Sequence, residues 1–524
     1  MTTDHYDLII IGTGAGGGTL AYKLAPSGKK ILILERGPFL PREKANWDTV
    51  EVVQRDRYHT PEIWTDNKGH EIHPGVGYFV GGNTKVYGGA LFRWRERDFE
   101  QVIHKGGISP EWPLKYRDFE PYYTQAETLY EVHGQHGIDP TEPAASADYP
   151  FAPITHEPRI QEIHDQLQGK GFHPFYLPLA IKLNEVNRRL SACIRCNTCD
   201  GFPCLVDAKA DADINAVRPA EQYENLTLIT EAKVTRLLTS PSGREVTAVE
   251  AEIAGELRQF SGDIVVVACG AINSAALLLR SANDHHPNGL ANSSGQVGRN
   301  LMKHQNGAII GISPKPNPTV FQKTMALNDF YWGEEGFDYP MGHVQLLGKV
   351  NADMIAMESP SIAGISFQEK NAFAAMANHS VDWWLTAEDL PDSNNRVELR
   401  DDKIQLTFTE NNTEAYDRLL NRWTKVLKSI DCGDSFAPGV RILPCSFYFR
   451  KKLPLQGVAH QCGTCRFGED PQTSVLDLNC RTHDVENLYV VDGSFFRSSA
   501  AVNPTLTIIA NALRVGEHLN EQMK

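Results

Sequence analysis

The sequence predicts an α/β fold, and three observations near its N-terminus carry that expectation. An apolar, β-branched run, Tyr6-Asp7-Leu8-Ile9-Ile10-Ile11, stops at the glycine-rich turn Gly12-Thr13-Gly14-Ala15-Gly16-Gly17-Gly18. A helical segment follows from Thr19 to Leu24. A second apolar run, Lys30-Ile31-Leu32-Ile33-Leu34, ends in Glu35. Short apolar runs bounded by glycine read as strands covered on both faces, the kind that alternate with helices in a parallel sheet.

Each element has a mechanical reason. Gly12 permits the tight turn, Gly14 lets backbone approach a bound pyrophosphate, and Gly17 lets the helix pack on the strand. The helix N-terminus adds free N–H groups and a positive dipole end. Glu35 lies 23 positions after Gly12 and suits a ribose diol. Together these parts predict a dinucleotide site that NAD and FAD would satisfy alike. Further along, Ala208 to Ala220 reads as a helix. Arg396–Arg400 and Ile404–Phe408 alternate around Asp401-Asp402 as a hairpin should, and Asn412 to Leu427 has helical spacing at Tyr416, Leu419, Leu420, Trp423 and Leu427. No internal repeat is visible.

Composition narrows the function. The chain has 524 residues, 41% hydrophobic and 22% charged, with 51 Lys+Arg against 65 Asp+Glu and a formal charge of −14. A protein that lives by neutralising phosphates carries the opposite sign, so nucleic acid and anionic membrane are excluded as primary partners. No stretch approaches the ~18–20 apolar residues of a membrane span, and Met1-Thr2-Thr3-Asp4-His5 has no basic and apolar signal region. The expectation is a soluble, cytoplasmic protein.

Further segments carry a resemblance. Val80-Gly81-Gly82-Asn83-Thr84-Lys85-Val86-Tyr87-Gly88-Gly89 is a second glycine-rich turn, and Ala268-Cys269-Gly270-Ala271 opens a strand, turn and helix. Val297-Gly298-Arg299-Asn300-Leu301, His460-Gln461-Cys462-Gly463-Thr464-Cys465, Val490-Val491-Asp492-Gly493-Ser494 and Asn503-Pro504-Thr505-Leu506-Thr507 follow in order. With the N-terminal fingerprint, they resemble the glucose–methanol–choline (GMC) family of FAD-dependent oxidoreductases over nearly the whole chain. The resemblance implies a Rossmann-like FAD-binding domain assembled from 1–45, 76–100, 190–305 and 455–524. It also implies a discontinuous α+β substrate-binding domain, 101–189 and 306–454, carrying an antiparallel sheet.

It implies FAD as cofactor, with pyrophosphate on Gly12, Gly14 and Gly17, ribose on Glu35, adenine near Val234, and the flavin ring reached by Gly82, Asn83 and Asp492. Gly493 and Thr505 complete the set where a helix begins after Pro504. Two departures stand out. Val86 occupies the place where some members attach FAD through a histidine, so non-covalent FAD is expected. Tyr87 stands where an asparagine is usual.

Oxidising an alcohol needs a base for the hydroxyl proton, and histidine keeps a proton-accepting form at neutral pH. The family places a histidine, with a second histidine or an asparagine, where His460 and Asn503 stand. His460 is expected as base and Asn503 as the amide that holds the substrate oxygen. His304, after Arg299-Asn300-Leu301, is a weaker candidate for the base and is expected to be structural, and His483 is assigned no role. The stretches Lys105–Pro113 and Phe119–Glu127 resemble the sugar- and polyol-oxidising branch, which points to a sugar or glycoside as substrate. Trp383-Trp384 and Phe447-Tyr448-Phe449 could stack on such a ring, although aromatic pairs are commoner in cores. O2, a quinone or a redox protein would reoxidise the flavin. A lyase or decarboxylase on the same scaffold, oxidation of a non-sugar alcohol, and a non-catalytic flavoprotein subunit are the alternatives.

Ten cysteines are few for a disulfide scaffold, yet Cys193, Cys196, Cys199 and Cys204 crowd into one C-x2-C-x2-C-x4-C stretch. The spacing misses the ferredoxin run by one residue, and structural zinc sites usually split their pairs over a longer loop. Plain thiols or a local disulfide are expected there ahead of a metal or cluster. Cys462 and Cys465 are expected to be packing thiols.

Overall fold

The computed structural model describes residues 5–357, 369–430, 448–457 and 460–524. Two sheets organise it. The first is built from β1 (His5–Ile11), β2 (Ile31–Leu34), β3 (Leu226–Ile229), β4 (Ala232–Thr239), β5 (Val246–Ile253), β6 (Glu256–Val267) and β7 (Leu488–Val490). Its parallel part runs β3-β2-β1-β6-β7, with Ile9 opposite Leu32 on one side and Val265 on the other. The first half of β6 instead pairs antiparallel with β5, which pairs with β4. Leu8 to Ile11 and Ile31 to Leu34 are fully buried, as strands covered on both faces must be.

Helices α1 (Ala15–Leu24), α2 (Ala271–Arg280) and α3 (Thr505–Gln522) cover this sheet. The first two begin just beyond the carboxyl ends of β1 and β6, where a doubly wound sheet opens its binding crevice, and Thr505 at the start of α3 lines the same space. The approach is close: a Cβ on Gly16 would lie 1.9 Å from the Val491 carbonyl oxygen, and one on Gly17 would lie 2.1 Å from that of Gly12. Helix Tyr116–Leu129, expected in the second unit, packs instead into this core. Phe119 and Ala126 are buried there, and the Tyr123 hydroxyl meets Thr507 Oγ1 of α3 at 2.8 Å. The helix expected over Ala208–Ala220 is confined to its second half, from Asp213 onward. Before it, the Lys182 and Ala210 amides bond to the carbonyls of Ala208 and Ala180, which holds this stretch extended.

The second sheet is antiparallel and six-stranded. Its order is Tyr448–Lys452, Gln305–Ile312, Ser380–Ala387, His343–Leu346, Met325–Leu327, Phe175–Tyr176. One face buries Ile309, Trp383 and Leu385 against Leu419 and Trp423 of helix Thr413–Ile430. Trp383 and Trp423 meet edge to face with ring centroids 4.7 Å apart. Because strand residues alternate, Asn306, Ala308 and Trp384 lie on the opposite face, and of these Trp384 reaches the first sheet's crevice. The hairpin Arg396–Arg400 and Lys403–Thr407 turns at Asp401 and Asp402 and adds a parallel neighbour, Trp64–Asp66. Among the described residues no helix is long and apolar enough to cross a membrane.

Candidate active site

A cavity of about 790 Å³ opens at the carboxyl ends of β1, β2 and β6. Its wall includes Gly12, Gly14, Glu35, Gly82, Asn83, Val234, Asp492, Gly493, Asn503, Thr505 and His460, so one space gathers residues drawn from both ends and the middle of the chain. Gly17, beneath the turn and in contact with the Gly12 carbonyl, lies outside that wall and serves packing.

The glycine turn fits a dinucleotide. Gly12 turns with φ 99°, in the left-handed region that favours glycine. A Cβ on Gly14 would meet nothing within 4 Å, because this residue faces the open cavity where α1 begins. Glu35 is buried and held from its own chain. Oε2 accepts the Thr13 N–H at 2.9 Å and Oε1 accepts the Gly37 N–H at 2.9 Å. Burial pushes its carboxyl above the usual range while these hydrogen bonds pull the other way. Val234 lines the cavity from β4, beyond Glu35.

The second glycine turn is braced from below. Gly81 N–H donates to Thr13 Oγ1 at 3.0 Å, and the buried Lys85 ammonium bridges Asp211 at 3.0 Å and Asp213 at 2.8 Å. Tyr87, in place of an asparagine, lines the cavity and donates its hydroxyl to the Ala210 carbonyl. The Asp492 carboxylate is already engaged. Oδ2 accepts from Gly270 N–H at 2.9 Å and Ser274 Oγ at 2.5 Å, and Oδ1 accepts from Ser494 N–H at 2.8 Å. Asp492 therefore ties the start of α2 to the end of β7 and fixes Gly493 on the cavity wall. Burial raises its carboxyl.

At the other end of the cavity stands a histidine pair. Met302 and Cys462 form an antiparallel bridge, their N–H and C=O groups exchanged at 3.0 Å, and two residues outward on each strand this register sets His304 opposite His460. His304 adopts φ 68°, a left-handed conformation that a non-glycine residue holds only where its surroundings fix it. Its Nε2 lies 2.8 Å from the Ser499 carbonyl oxygen, which can only accept, so Nε2 carries the proton. Burial pushes His304 down to about 4, keeping it neutral, so its Nδ1 is an acceptor. The His304 Nδ1 to His460 Nδ1 contact of 3.0 Å is then donated by His460. Burial, and secondarily His304, push His460 down to about 3. His460 is thus a neutral imidazole with its proton on Nδ1 and its lone pair on Nε2. Asn503 lines the same cavity on the loop before α3, where Ala501 N–H is held by the Tyr331 hydroxyl at 3.1 Å. Its amide has no hydrogen-bond partner among the described residues.

The cysteine stretch abuts this site. Gly201 is in the cavity wall and donates its N–H to the Val86 carbonyl at 3.0 Å. The buried Lys209 ammonium holds the loop through the carbonyls of Cys199 and Phe202, each at 2.8 Å. Cys193, Cys196, Cys199 and Cys204 are free thiols, and among the described residues no three His, Cys, Asp or Glu side chains are grouped to hold a metal. Cys462 and Cys465 are fully buried thiols in the main core. His483 meets Ser474 Oγ at 3.0 Å, away from the cavity wall.

Family models for GMC oxidoreductases match residues 6–306 and 391–512. The chain belongs to the GMC oxidoreductase family. Like other GMC enzymes it is an FAD-dependent oxidoreductase acting on CH–OH groups. Paromamine 6'-oxidase of Streptomyces fradiae is 30% identical, covering 97% of this chain and 90% of its own. The fructose dehydrogenase large subunit of Gluconobacter japonicus is 27% identical over 99% of this chain and 98% of its own. Among solved structures, pyridoxine 4-oxidase from Mesorbium loti superposes with a TM-score of 0.67 at 17% identity, covering 98% of this chain and 99% of that one, a likeness of fold.

Three features of this GMC site escape the sequence motifs. His304 was expected to be structural, and the structure places it on the candidate base; the bridge that does so joins residues 160 positions apart. Gly16 is as confined as Gly17, although the fingerprint spacing does not include it. Of the aromatic stretches, Trp383 is core, Trp384 lines the cavity, and Phe447 lies outside the described residues.

Proposed function

We propose that the protein oxidises a sugar or glycoside hydroxyl to a carbonyl, with His460 as base, Asn503 holding the substrate oxygen, and FAD bound non-covalently. The carrying observation is the hydrogen-bond chain from the Ser499 carbonyl through His304 to His460 Nδ1, which leaves Nε2 as the lone pair available to a hydroxyl. FAD, when bound, supplies the acceptor for the hydride. His460 Nε2 takes the hydroxyl proton, and the Asn503 amide, free of protein partners among the described residues, donates to the same oxygen and fixes its direction. Glu35 and the start of α1 suit the ribose and pyrophosphate, and Val86 offers no nucleophile to the flavin edge.

The relatives named for paromamine and fructose support a sugar substrate. Eight free thiols among the described residues support a reducing compartment such as the cytoplasm. O2, a quinone or a redox protein would accept the electrons.

Anaerobic bleaching of the flavin by a panel of sugars, glycosides and alcohols tests the reading, and admitting air afterwards reports whether O2 reoxidises it. The His460→Ala holoprotein should bleach on the order of 10²–10⁴ times more slowly than wild type. Bleaching at the wild-type rate overturns the assignment of the base, and turnover without bleaching overturns oxidation itself. Acid precipitation of the same protein should leave the flavin in the supernatant; flavin retained in the pellet contradicts non-covalent binding.

A further inference from the structure

We propose that Trp384 is a ring platform for the part of the substrate that is not oxidised, and that the cavity therefore selects a glycoside of at least two rings over a single sugar. This rests on the reading of the enzyme as a sugar oxidoreductase and adds the size of its substrate.

Between residues 281 and 459 the chain sends only Trp384, Leu453 and Gly457 to the cavity wall among the described residues, and Trp384 is the one aromatic group of the three. Alternation explains why. Trp383 turns into the core against Trp423, so its neighbour lies on the crevice side of the sheet. Trp384 is opposite Ala308 on one side of the ladder and Gln345 on the other, and paired residues share a face, so the indole stands between a methyl group and an amide. The same strand gives a ruler. Gln305 adjoins His304, the partner of the base, and Ala308 lies three residues on, about 10 Å along the strand at ~3.3 Å per residue, roughly two joined pyranose rings.

An indole on a cavity wall has a large apolar face and suits the C–H face of a sugar ring, while the hydroxyls around the ring edge stay available to polar groups. One ring would sit at His460 and Asn503 with its CH–OH reacting, and the next would lie against Trp384. Binding energy from that second ring falls outside the reacting atoms. It acts on affinity and on holding the first ring in place.

The experiment compares holoenzyme reduced anaerobically by glucose, by methyl glucoside and by cellobiose and maltose, in wild type, Trp384→Ala and Trp384→Phe. Half-saturating concentrations and limiting rates of flavin bleaching are read separately. In wild type the better disaccharide should half-saturate at least about tenfold below glucose, Trp384→Ala should erase that ratio through the half-saturating concentration, and Trp384→Phe should keep most of it. The disaccharide should also quench tryptophan emission in wild type more than in Trp384→Phe, a readout independent of turnover. Flavin content and melting temperature check that each variant is folded. If sugars bleach the flavin but the ratio survives in Trp384→Ala, or glucose and disaccharide lose equally, the platform is wrong and the sugar reading stands. If no carbohydrate bleaches the wild-type flavin while other alcohols do, the sugar reading falls and takes the platform with it.

Discussion

At the scale of single residues, the proposed chemistry rests on which nitrogen of His460 holds the proton. The Ser499 carbonyl decides this two steps away, because it forces Nε2 of His304 to donate and so makes Nδ1 of His304 an acceptor. Burial, with His304 second, lowers His460 to about 3 from the ordinary histidine value near 6.5. The proposed base acts in its neutral form, so a depressed value protects it on the acid side. The limiting rate of flavin bleaching should accordingly vary by less than about twofold between pH 5 and pH 8, whereas a histidine near 6.5 would lose about 97% of its neutral form at pH 5. A pH–rate profile with an inflection close to 6.5 in the reductive step would show that His460 is hydrated and unperturbed in the working enzyme. His460 and Asn503 were visible in the sequence as residues that matched a pattern. The tautomer was not, since it depends on His304, 156 positions away, and on a backbone carbonyl.

At the scale of elements, the β1-turn-α1-β2 unit separates two demands that one glycine motif makes together. Gly14 opens on the cavity with no atom within 4 Å of a built Cβ, whereas a Cβ on Gly16 would lie 1.9 Å from the Val491 carbonyl oxygen and has no room. Gly14→Ala should therefore fold and lose flavin affinity. Gly16→Ala should push α1 off the end of β7, at a cost of about 3 kcal/mol, and lose flavin as a consequence. Flavin absorbance and thermal melting of the two purified variants check this; equal melting temperatures, or an unfolded Gly14→Ala, contradict it. This unit was legible because its causes are local: adjacent residues set strand, turn, helix and acid. The hairpin at Asp401 and Asp402 was legible for the same reason. The six-stranded sheet was expected only as an antiparallel sheet, without its order, because it joins Phe175–Tyr176 to strands up to Lys452, and such pairings leave no local mark. Helix Tyr116–Leu129 was assigned to the other unit for a similar reason. Its apolar face shows that it packs, and only the Tyr123 contact to Thr507 shows on what.

At the scale of the whole molecule, the cavity is where distant stretches converge. Its wall draws on stretches within residues 11–16, 34–36, 75–90, 232–234, 268–280, 460–461 and 492–508, so a ligand lying along it touches elements far apart in the sequence. Asp492 shows how closely these stretches depend on each other, since one buried carboxylate on the wall holds Gly270 beside it and Ser274 and Ser494 behind it. A cofactor filling this space stabilises the folded form by mass action, about 2.7 kcal/mol at a free concentration 100 times its Kd. FAD-stripped protein should melt below the holoprotein, and its melting temperature should climb with the logarithm of added FAD until the site saturates. Gly14→Ala should shift this curve to higher FAD concentration without lowering its starting point, because its own Cβ meets no protein atom. Thermal melts of stripped wild type and Gly14→Ala across an FAD series measure both effects. Coincident melting of stripped and loaded wild type would contradict FAD binding to the folded form, since a ligand held only by the folded chain raises its melting temperature even where Asp492 and the glycine turns keep the cavity preformed.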